Sequence, residues 1–319
     1  MPEPSVAEVS PARFAEIEAR VARIDDDARA ADGHPALTGA VWLDLEHPAE
    51  DSAGFLIDDR AYAHVARADN TPEDNCAADD TSDGTQQWTL GVALAPAARD
   101  RGTERSALVA AAARHVAAHG GGLLVLWVPG ASATDDAELA GTGLRPARDL
   151  YEMRVPLPLA EEPHRPEGFE VRPFEVGRDE DAWLAVNNLA FAGHAEQGGW
   201  TRATLARRTS EPWFDPTLFL LAFDAAGLAG FDWLKLHDAH DRDPRLGEIY
   251  VIGIHPRTQG TGLGRALAVA GLQAVHERGI GTGMLYCAAD NAPALKLYRS
   301  LGFTVHRVDR AYECEVASV

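Results

Sequence analysis

The residues best placed to do chemistry lie in one stretch, Glu248-Ile-Tyr-Val-Ile-Gly-Ile-His-Pro-Arg-Thr-Gln-Gly-Thr-Gly-Leu-Gly-Arg-Ala-Leu267. It reads as a strand, a short turn of small residues and the start of an amphipathic helix. Gly260, Gly262 and Gly264 put no Cβ in the way, so successive N–H groups can converge at a helix N-terminus. Such a nest suits a pyrophosphate. A P-loop would need a lysine that is not present, and the dinucleotide pattern GxGxxG fails in both registers, ending on Arg265 or Leu267. A plain glycine-rich turn between strand and helix is the reading the turn chemistry alone leaves open. Further along stands Asp290-Asn-Ala-Pro-Ala-Leu-Lys-Leu-Tyr-Arg-Ser-Leu-Gly-Phe303. There Asn291 and Pro293 are suited to open a helix and Gly302 to close it. Tyr298, on that helix, is by itself either a core aromatic or a functional hydroxyl.

Gln259-x-x-Gly262-x-Gly264 resembles the Q/R-x-x-G-x-G/A signature of the GCN5-related N-acetyltransferases. The segment from Asn291 to Phe303 resembles that family's next motif, N-x-x-A/S-x-x-x-Y-x-x-x-G-F. The resemblance implies acetyl-CoA as co-substrate and no metal. It implies cofactor contacts at Ile252, Gly253 and Ile254, at Gln259, Gly260, Thr261, Gly262, Leu263, Gly264 and Arg265, and at Asn291, Ala292, Pro293, Ala294, Leu295 and Lys296. N-acetylation needs a neutral amine, a stabilised thioester oxygen and a proton for the departing thiolate. A free α-amine has a pKa of about 7.7–8.0, so a base has one proton to remove near neutrality. By the resemblance Glu248 is that base, acting through water, and Tyr298 is the acid that protonates the CoA thiolate. Backbone N–H groups near Ile252–Ile254 would hold the acetyl carbonyl. Composition alone reads Glu248 as an ordinary strand-end carboxylate, one of 49 acidic residues.

Two runs, Val186-Asn-Asn-Leu-Ala-Phe-Ala-Gly-His-Ala-Glu-Gln-Gly-Gly-Trp200 and Glu211-Pro-Trp-Phe-Asp-Pro216, resemble a tandem-domain branch of the same family. That branch completes mycothiol by acetylating the cysteinyl amine of cysteinyl-glucosaminyl-inositol. The likeness is close over about residues 169–316, and over residues 1–155 it lies mainly in layout. It implies acceptor contacts at Glu196, Lys235, Glu248 and Tyr286. A carboxylate and an amine are apt partners for a hydroxyl-rich acceptor. Trp200 and Trp213 are expected to pack in the core. The first half departs from the pattern. Arg99-x-x-Gly102 survives, but Glu104 stands in the place of Gly264, Leu139 in that of Tyr298 and Ser132 opposite Asn291. Gly39 falls where the branch has an acceptor-binding glutamate. This half is therefore expected to be degenerate and non-catalytic.

The elements that must position these residues repeat in order. In the second half the patterning predicts a strand at Phe169–Val176, helices at Asp181–Ala192 and Thr201–Thr209, and strands at Leu218–Phe223, Gly227–Leu236 and Glu248–Ile254. A helix at Leu263–Glu277, a strand at Met284–Ala288, a helix at Ala292–Leu301 and closing strand over Phe303–Val316 complete it. The first half runs similarly: a helix near Pro11–Ala31, strands near Phe55–Ala66 and Trp88–Leu94, a helix at Thr103–Ala118, a strand at Leu123–Val128 and closing strands up to Val155. Gly143-Leu-Arg-Pro-Ala-Arg-Asp-Leu-Tyr-Glu152 resembles the stretch Gly302–Glu313, which supports duplication. The expected fold class is α/β (α+β), two tandem acetyltransferase-like domains, each a mixed central sheet flanked by helices. Residues 1–155 form the first domain, the proline-rich 156–168 a linker and 169–319 the catalytic domain. The polar, acidic run 69–86 is expected to be a solvated loop.

Composition bounds the rest. A chain of 319 residues with 46% hydrophobic and 24% charged residues has material for two cores. A net charge of −20 makes nucleic acid and membrane surfaces poor partners. Cys76, Cys287 and Cys314 lack metal or disulfide spacing, and the N-terminus lacks an apolar signal core. The chain is thus expected to be a cytoplasmic monomer acting on a small-molecule amine. The rival readings are an acetyltransferase for another small-molecule or peptide amine and a non-catalytic acyl-CoA-binding regulator.

Overall fold

The structure is a computed structural model and describes residues 4–68, 86–99, 102–164, 167–192, 197–239 and 243–319. In the first half it contains β1 (Ala7–Val9), α1 (Phe14–Asp32), α2 (Gly39–Glu46), β2 (Ala53–Ile57), β3 (Ala61–Arg67) and β4 (Gln87–Leu94). There follow α3 (Thr103–Ala118), β5 (Gly122–Val128), α4 (Ala133–Ala140) and β6 (Arg145–Pro156). The second half contains β7 (Glu170–Pro173), α5 (Glu180–Ala190), α6 (Arg202–Thr209), β8 (Phe219–Asp224), β9 (Gly227–His237) and β10 (Leu246–Ile254). It ends with α7 (Leu263–Glu277), β11 (Thr282–Ala288), α8 (Ala292–Ser300) and β12 (Thr304–Val316). The mixed sheets flanked by helices match the expected fold class. Most of the expected acidic loop, residues 69–85, lies outside the described residues, as does Cys76.

The chain divides into two compact units, Met1–Asp149 with Val308–Val319, and Leu150–Arg307. The first is discontinuous in sequence, taking back the chain's last residues, and the second is one continuous run. In the first unit the strands run in the order β1-β2-β3-β4-β5-β12, all neighbours antiparallel except the parallel pair β4–β5. In the second unit the order β7-β8-β9-β10-β11-β6 repeats this plan, with β10–β11 the parallel pair. The chain's last strand therefore completes the first unit's sheet, Arg310–Val316 lying opposite Val128–Gly122. Residues Leu150–Pro156, expected to close the first domain, complete the second unit's sheet against Ala288–Thr282.

Each sheet buries both faces. In the first unit α3 covers one face through Leu108, Val109, Ala112 and Val116, while α1 and α2 cover the other through Phe14, Val21, Ile24 and Val41. In the second, α7 and α8 pack Ala268, Leu272, Val275, Leu295 and Tyr298 against one face. On the other face α5 and α6 contribute Trp183 and Leu205 to a cluster of aromatic rings around Trp233. Burying this much apolar area is what holds strands of such different sequence distance together. Three short elements depart from the expected layout. The run 55–66 is a hairpin turning at Asp58, which takes φ of 47°. A helix, α2, follows Thr38, and another, α4, is capped by a reciprocal Ser132–Asp135 box where closing strand was expected.

One core residue works against stability. Asp232 on β9 is fully buried, and neither carboxylate oxygen has a hydrogen-bond partner among the described residues. A Cβ on Gly271 of α7 would come within 2.3 Å of its Oδ2, so no larger residue fits there without displacing it. Burial holds this carboxyl well above its ordinary range. A proton held more tightly in the folded than in the unfolded chain stabilises the fold only below the unfolded-state pKa. As pH rises past that value, stability falls by about 1.4 kcal/mol per unit until the folded-state pKa is reached. Asp232→Asn keeps the shape and removes the titration. It is expected to raise the unfolding free energy at pH 7 by about 1–3 kcal/mol and to leave it unchanged near pH 4. Denaturant melts at both pH values check this, and equal effects at the two would contradict it.

Candidate active site

The strand β10 carries the site. A register shift between Ile249 and Val251 in its pairing with β9 inserts Tyr250 as an extra residue. On its other side β10 pairs with β11 only at Gly247–Ile249 opposite Gly283–Leu285. Beyond that point β10 continues to Ile254 alongside β9, and β11 continues to Ala288 alongside β6. No further β10–β11 pair occurs among the described residues, so the two strands part and leave main-chain groups of Ile252–Ile254 free of a ladder on that side.

At the end of β10 a 3-10 turn, Pro256–Thr258, leads into α7. Thr258 donates its hydroxyl to Ala229 O at 2.9 Å, and Thr261 donates to Thr258 O at 2.7 Å, which fixes the turn. Gly262 caps α7 with φ of 87°, a left-handed conformation that favours glycine, and no side chain caps the helix. A Cβ there would meet nothing within 4 Å, so the cap itself borders open space, and the first-turn N–H groups have no partner within the helix. Gly264 instead packs close to β10: a Cβ would stand 3.3 Å from Ile254 Cγ1, a tight contact. Gln259, Gly260 and Thr261 are exposed and Leu263 is buried in the core. Arg265 is already engaged, by Glu161 at 2.5–3.1 Å and by Ser300 Oγ at 2.6 Å. That ion pair holds the Glu161 carboxyl below the usual range.

At the other end of β10 the Glu248 side chain is 5% exposed and its Oε2 lies 2.7 Å from His237 Nε2. In the ladder Glu248 stands opposite Lys235. The Lys235 ammonium lies 4.8 Å from the ring centre of Trp213 and 5.7 Å from that of Tyr250, a cation–π arrangement. Trp200 is a core residue as expected. Trp213 is only half-buried and serves as a platform under Lys235 as well as packing on the core. Tyr286 on β11 is half-buried, its hydroxyl 3.4 Å from Arg307. Glu196 lies outside the described residues, so three of the four expected acceptor residues can be placed.

Tyr298 packs in one cluster with Leu295, Cys287 and the partly buried Ile252, edge-on to Phe303 at 5.7 Å. Burial, reinforced by Cys287 and Asp232, holds its hydroxyl well above the ordinary tyrosine value. It therefore keeps its proton at neutral pH. Burial likewise pushes the Cys287 thiol up to about 11, keeping it un-ionised. Asn291 caps α8 by accepting from Ala294 N at 3.2 Å, and Ala292 and Pro293 form its exposed first turn. Lys296 is exposed while Leu295 is core, so only the main chain of Leu295 could meet a ligand.

The same place in the first unit is filled. Gly102 caps α3 with φ of 61°, but a Cβ there would lie 3.2 Å from the Glu138 carboxyl carbon. Arg105, the counterpart of Arg265, is bound to Asp135 at 2.5 Å and Glu138 at 3.3 Å. Glu104 is buried and accepts from Thr103 Oγ1 at 2.8 Å. Ser132 caps α4 as Asn291 caps α8, and Leu139 is wholly buried. Residues 100 and 101 lie outside the described residues.

His237 escaped the sequence reading, although Lys235 and His237 share one face of β9 by period-2 alternation. Among the described residues no group of three or more His, Cys, Asp or Glu side chains is arranged to hold a metal, and no helix is long and apolar enough to cross a membrane.

The Acetyltransferase (GNAT) family matches residues 181–303. A mycothiol acetyltransferase of Pseudarthrobacter chlorophenolicus is 51% identical over 55% of this chain and 56% of its own length. Longer matches are 38% identical to the mycothiol acetyltransferase of Catenulispora acidiphila, over 92% of this chain and 94% of that protein, and 37% identical to that of Streptomyces coelicolor, over 98% and 94%. Among solved structures, a GCN5-related N-acetyltransferase from Sphaerobacter thermophilus superposes with a TM-score of 0.68 at 21% identity, covering 99% of this chain and 96% of that one. A tandem GNAT protein from the clavulanic acid pathway does so at 0.66 and 18%, covering 99% of each chain. These structural likenesses speak to the fold.

Proposed function

The chain belongs to the mycothiol acetyltransferase family of GCN5-related N-acetyltransferases, and we propose that it transfers acetyl from acetyl-CoA to the cysteinyl amine of cysteinyl-glucosaminyl-inositol. One observation carries the reading beyond likeness. A single strand, β10, joins an open anion nest at Gly260–Arg265 to a buried carboxylate, Glu248, through a stretch released from its parallel neighbour. In this reading the nest N–H groups take the pyrophosphate and the pantetheine arm enters between β10 and β11. Main-chain donors of Ile252–Ile254 meet the thioester oxygen as charge grows on it. Gln259 and the first turn of α8, from Asn291 to Lys296, border the cofactor. Arg265 exchanges its Glu161 partner for phosphate. Glu248 provides the carboxylate of the basic group that frees the amine lone pair, and the attack expels the CoA thiolate, which takes its proton from Tyr298. Lys235, Tyr286 and Glu196 bind the acceptor. A screen of amine acceptors with acetyl-CoA, read by thiol release, tests the assignment; no release with cysteinyl-glucosaminyl-inositol would defeat it.

The first unit is proposed to be a non-catalytic copy that does not take acetyl-CoA, because Glu138 brings a carboxylate beside Gly102, where phosphate would need N–H donors, and Glu104 stands in the place of Gly264. Acetyl-CoA is therefore expected to slow amide hydrogen exchange at 260–265 and to leave 102–105 unchanged. Protection at both nests would overturn the second half of that proposal.

A further inference from the structure

We infer that the proton removed from the acceptor comes to rest on His237, with Glu248 acting as the carboxylate that orients and charges it. The inference rests on the acetyltransferase reading and deepens it by assigning the proton. Three observations point this way. First, His237 Nε2 and Glu248 Oε2 are 2.7 Å apart, a direct hydrogen bond in which the ring N–H donates to the carboxylate. This fixes the tautomer and leaves Nδ1 with a free lone pair. Second, the two side chains differ in access: Glu248 is 5% exposed, whereas the ring is 34% exposed. Third, Nδ1 has no partner among the described residues. A buried carboxylate behind a half-exposed imidazole is the arrangement that makes the imidazole the base and the carboxylate its support.

Intrinsic basicity agrees. An imidazole is intrinsically a stronger base than a carboxylate, so of two such groups sharing one proton the imidazole is the one that takes it up. The step balances with water as the carrier. An N–H bond of the acceptor ammonium breaks, its proton passes to water, and that water's proton forms the Nδ1–H bond. The amine lone pair is left to attack the thioester. The imidazolium, held by Glu248, returns its proton to bulk water through its exposed edge. Charged neighbours that would tune this are Lys235, opposite Glu248 on β9, and Arg154 on β6, bound to Asp243 at 2.6 Å. Asp238 and Arg245 flank the pair in the connection between β9 and β10.

The test separates orienting from proton transfer. His237→Gln keeps an N–H donor for Glu248 but cannot take a proton. It is expected to lower kcat by about 10²-fold and to shift the acid limb of the kcat profile to higher pH, toward the ionisation of the amine itself, with acetyl-CoA affinity unchanged. His237→Ala is expected to fall as far and to recover in part with added imidazole, which a purely structural histidine would not allow. Rates are read with a generic primary amine as well as with the cysteinyl acceptor, so a wrong acceptor does not obscure the result. Thiol release by the wild type together with an unchanged rate and profile in His237→Gln overturns this inference alone. Absence of acetyl transfer to any amine overturns the functional reading with it.

Discussion

Glu248→Gln is expected to lower kcat/KM by about 10²-fold or more, with the deepest loss at low pH. The acceptor amine has a pKa of about 7.7–8.0, so at alkaline pH much of it is already neutral and needs little help. At pH 6 only about one molecule in a hundred is neutral, and the rate then depends on the group that removes the proton. Glutamine has the size of glutamate, and its carbonyl oxygen can still accept from His237 Nε2, so packing at the start of β10 is kept. What it cannot do is hold a proton or stabilise a positive ring. Acetyl-CoA affinity should be untouched, because the nest at Gly260–Arg265 lies at the opposite end of the strand. The measurement is kcat/KM for the amine across pH 6–9 in both proteins. A wild-type profile in the variant would remove Glu248 from the reaction.

Cysteinyl-glucosaminyl-inositol is expected to exceed free cysteine in kcat/KM by about 10²–10³-fold. Remote hydroxyls of the sugar and inositol can position the amine for attack, and a truncated acceptor forfeits that positioning. Lys235 is the residue best placed to supply it. Its ammonium is steadied over Trp213 and Tyr250, and its backbone pairs with that of the buried Glu248. Replacing Lys235 or Glu196 with alanine is expected to erode the preference for the full acceptor while sparing slow acetylation of small amines. Steady-state rates with both acceptors decide the matter. Equal kcat/KM for the two would dismiss the mycothiol assignment and leave the acetyltransferase chemistry intact.

The turn proposed to hold the cofactor was legible because it is local. Strand, glycine turn and helix follow one another from Glu248 to Glu277, and each part needs only its neighbours: Gly262 for a left-handed cap, Gly264 for close approach to Ile254, a broad apolar face on α7. The helix from Ala292 was legible for the same reason, its cap at Asn291 and its stop at Gly302 being set within a few residues. Even the weak likeness of Gly143–Glu152 to Gly302–Glu313 marks the two strands, β6 and β12, that close the two sheets.

Sequence alone thus determined the kind and order of the longer elements, their repetition and the glycine turn proposed as an anion nest, all products of short-range sterics and hydrogen bonding. Tertiary structure decided which strand completes which sheet: β12 pairs with β5 and Leu150–Pro156 with β11, choices made by burial between segments far apart in the chain. It also decided that α2 and α4 are helices, since eight-residue segments are marginal without a surface to pack on. Only the fold set Glu138 beside Gly102, closing one nest, while leaving Gly262 open. Only the fold buried Asp232 without a partner and set His237 against Glu248. A carboxylate's chemistry depends on what surrounds it in space, and neither its neighbours across a ladder nor its distance from water is written in the residues beside it.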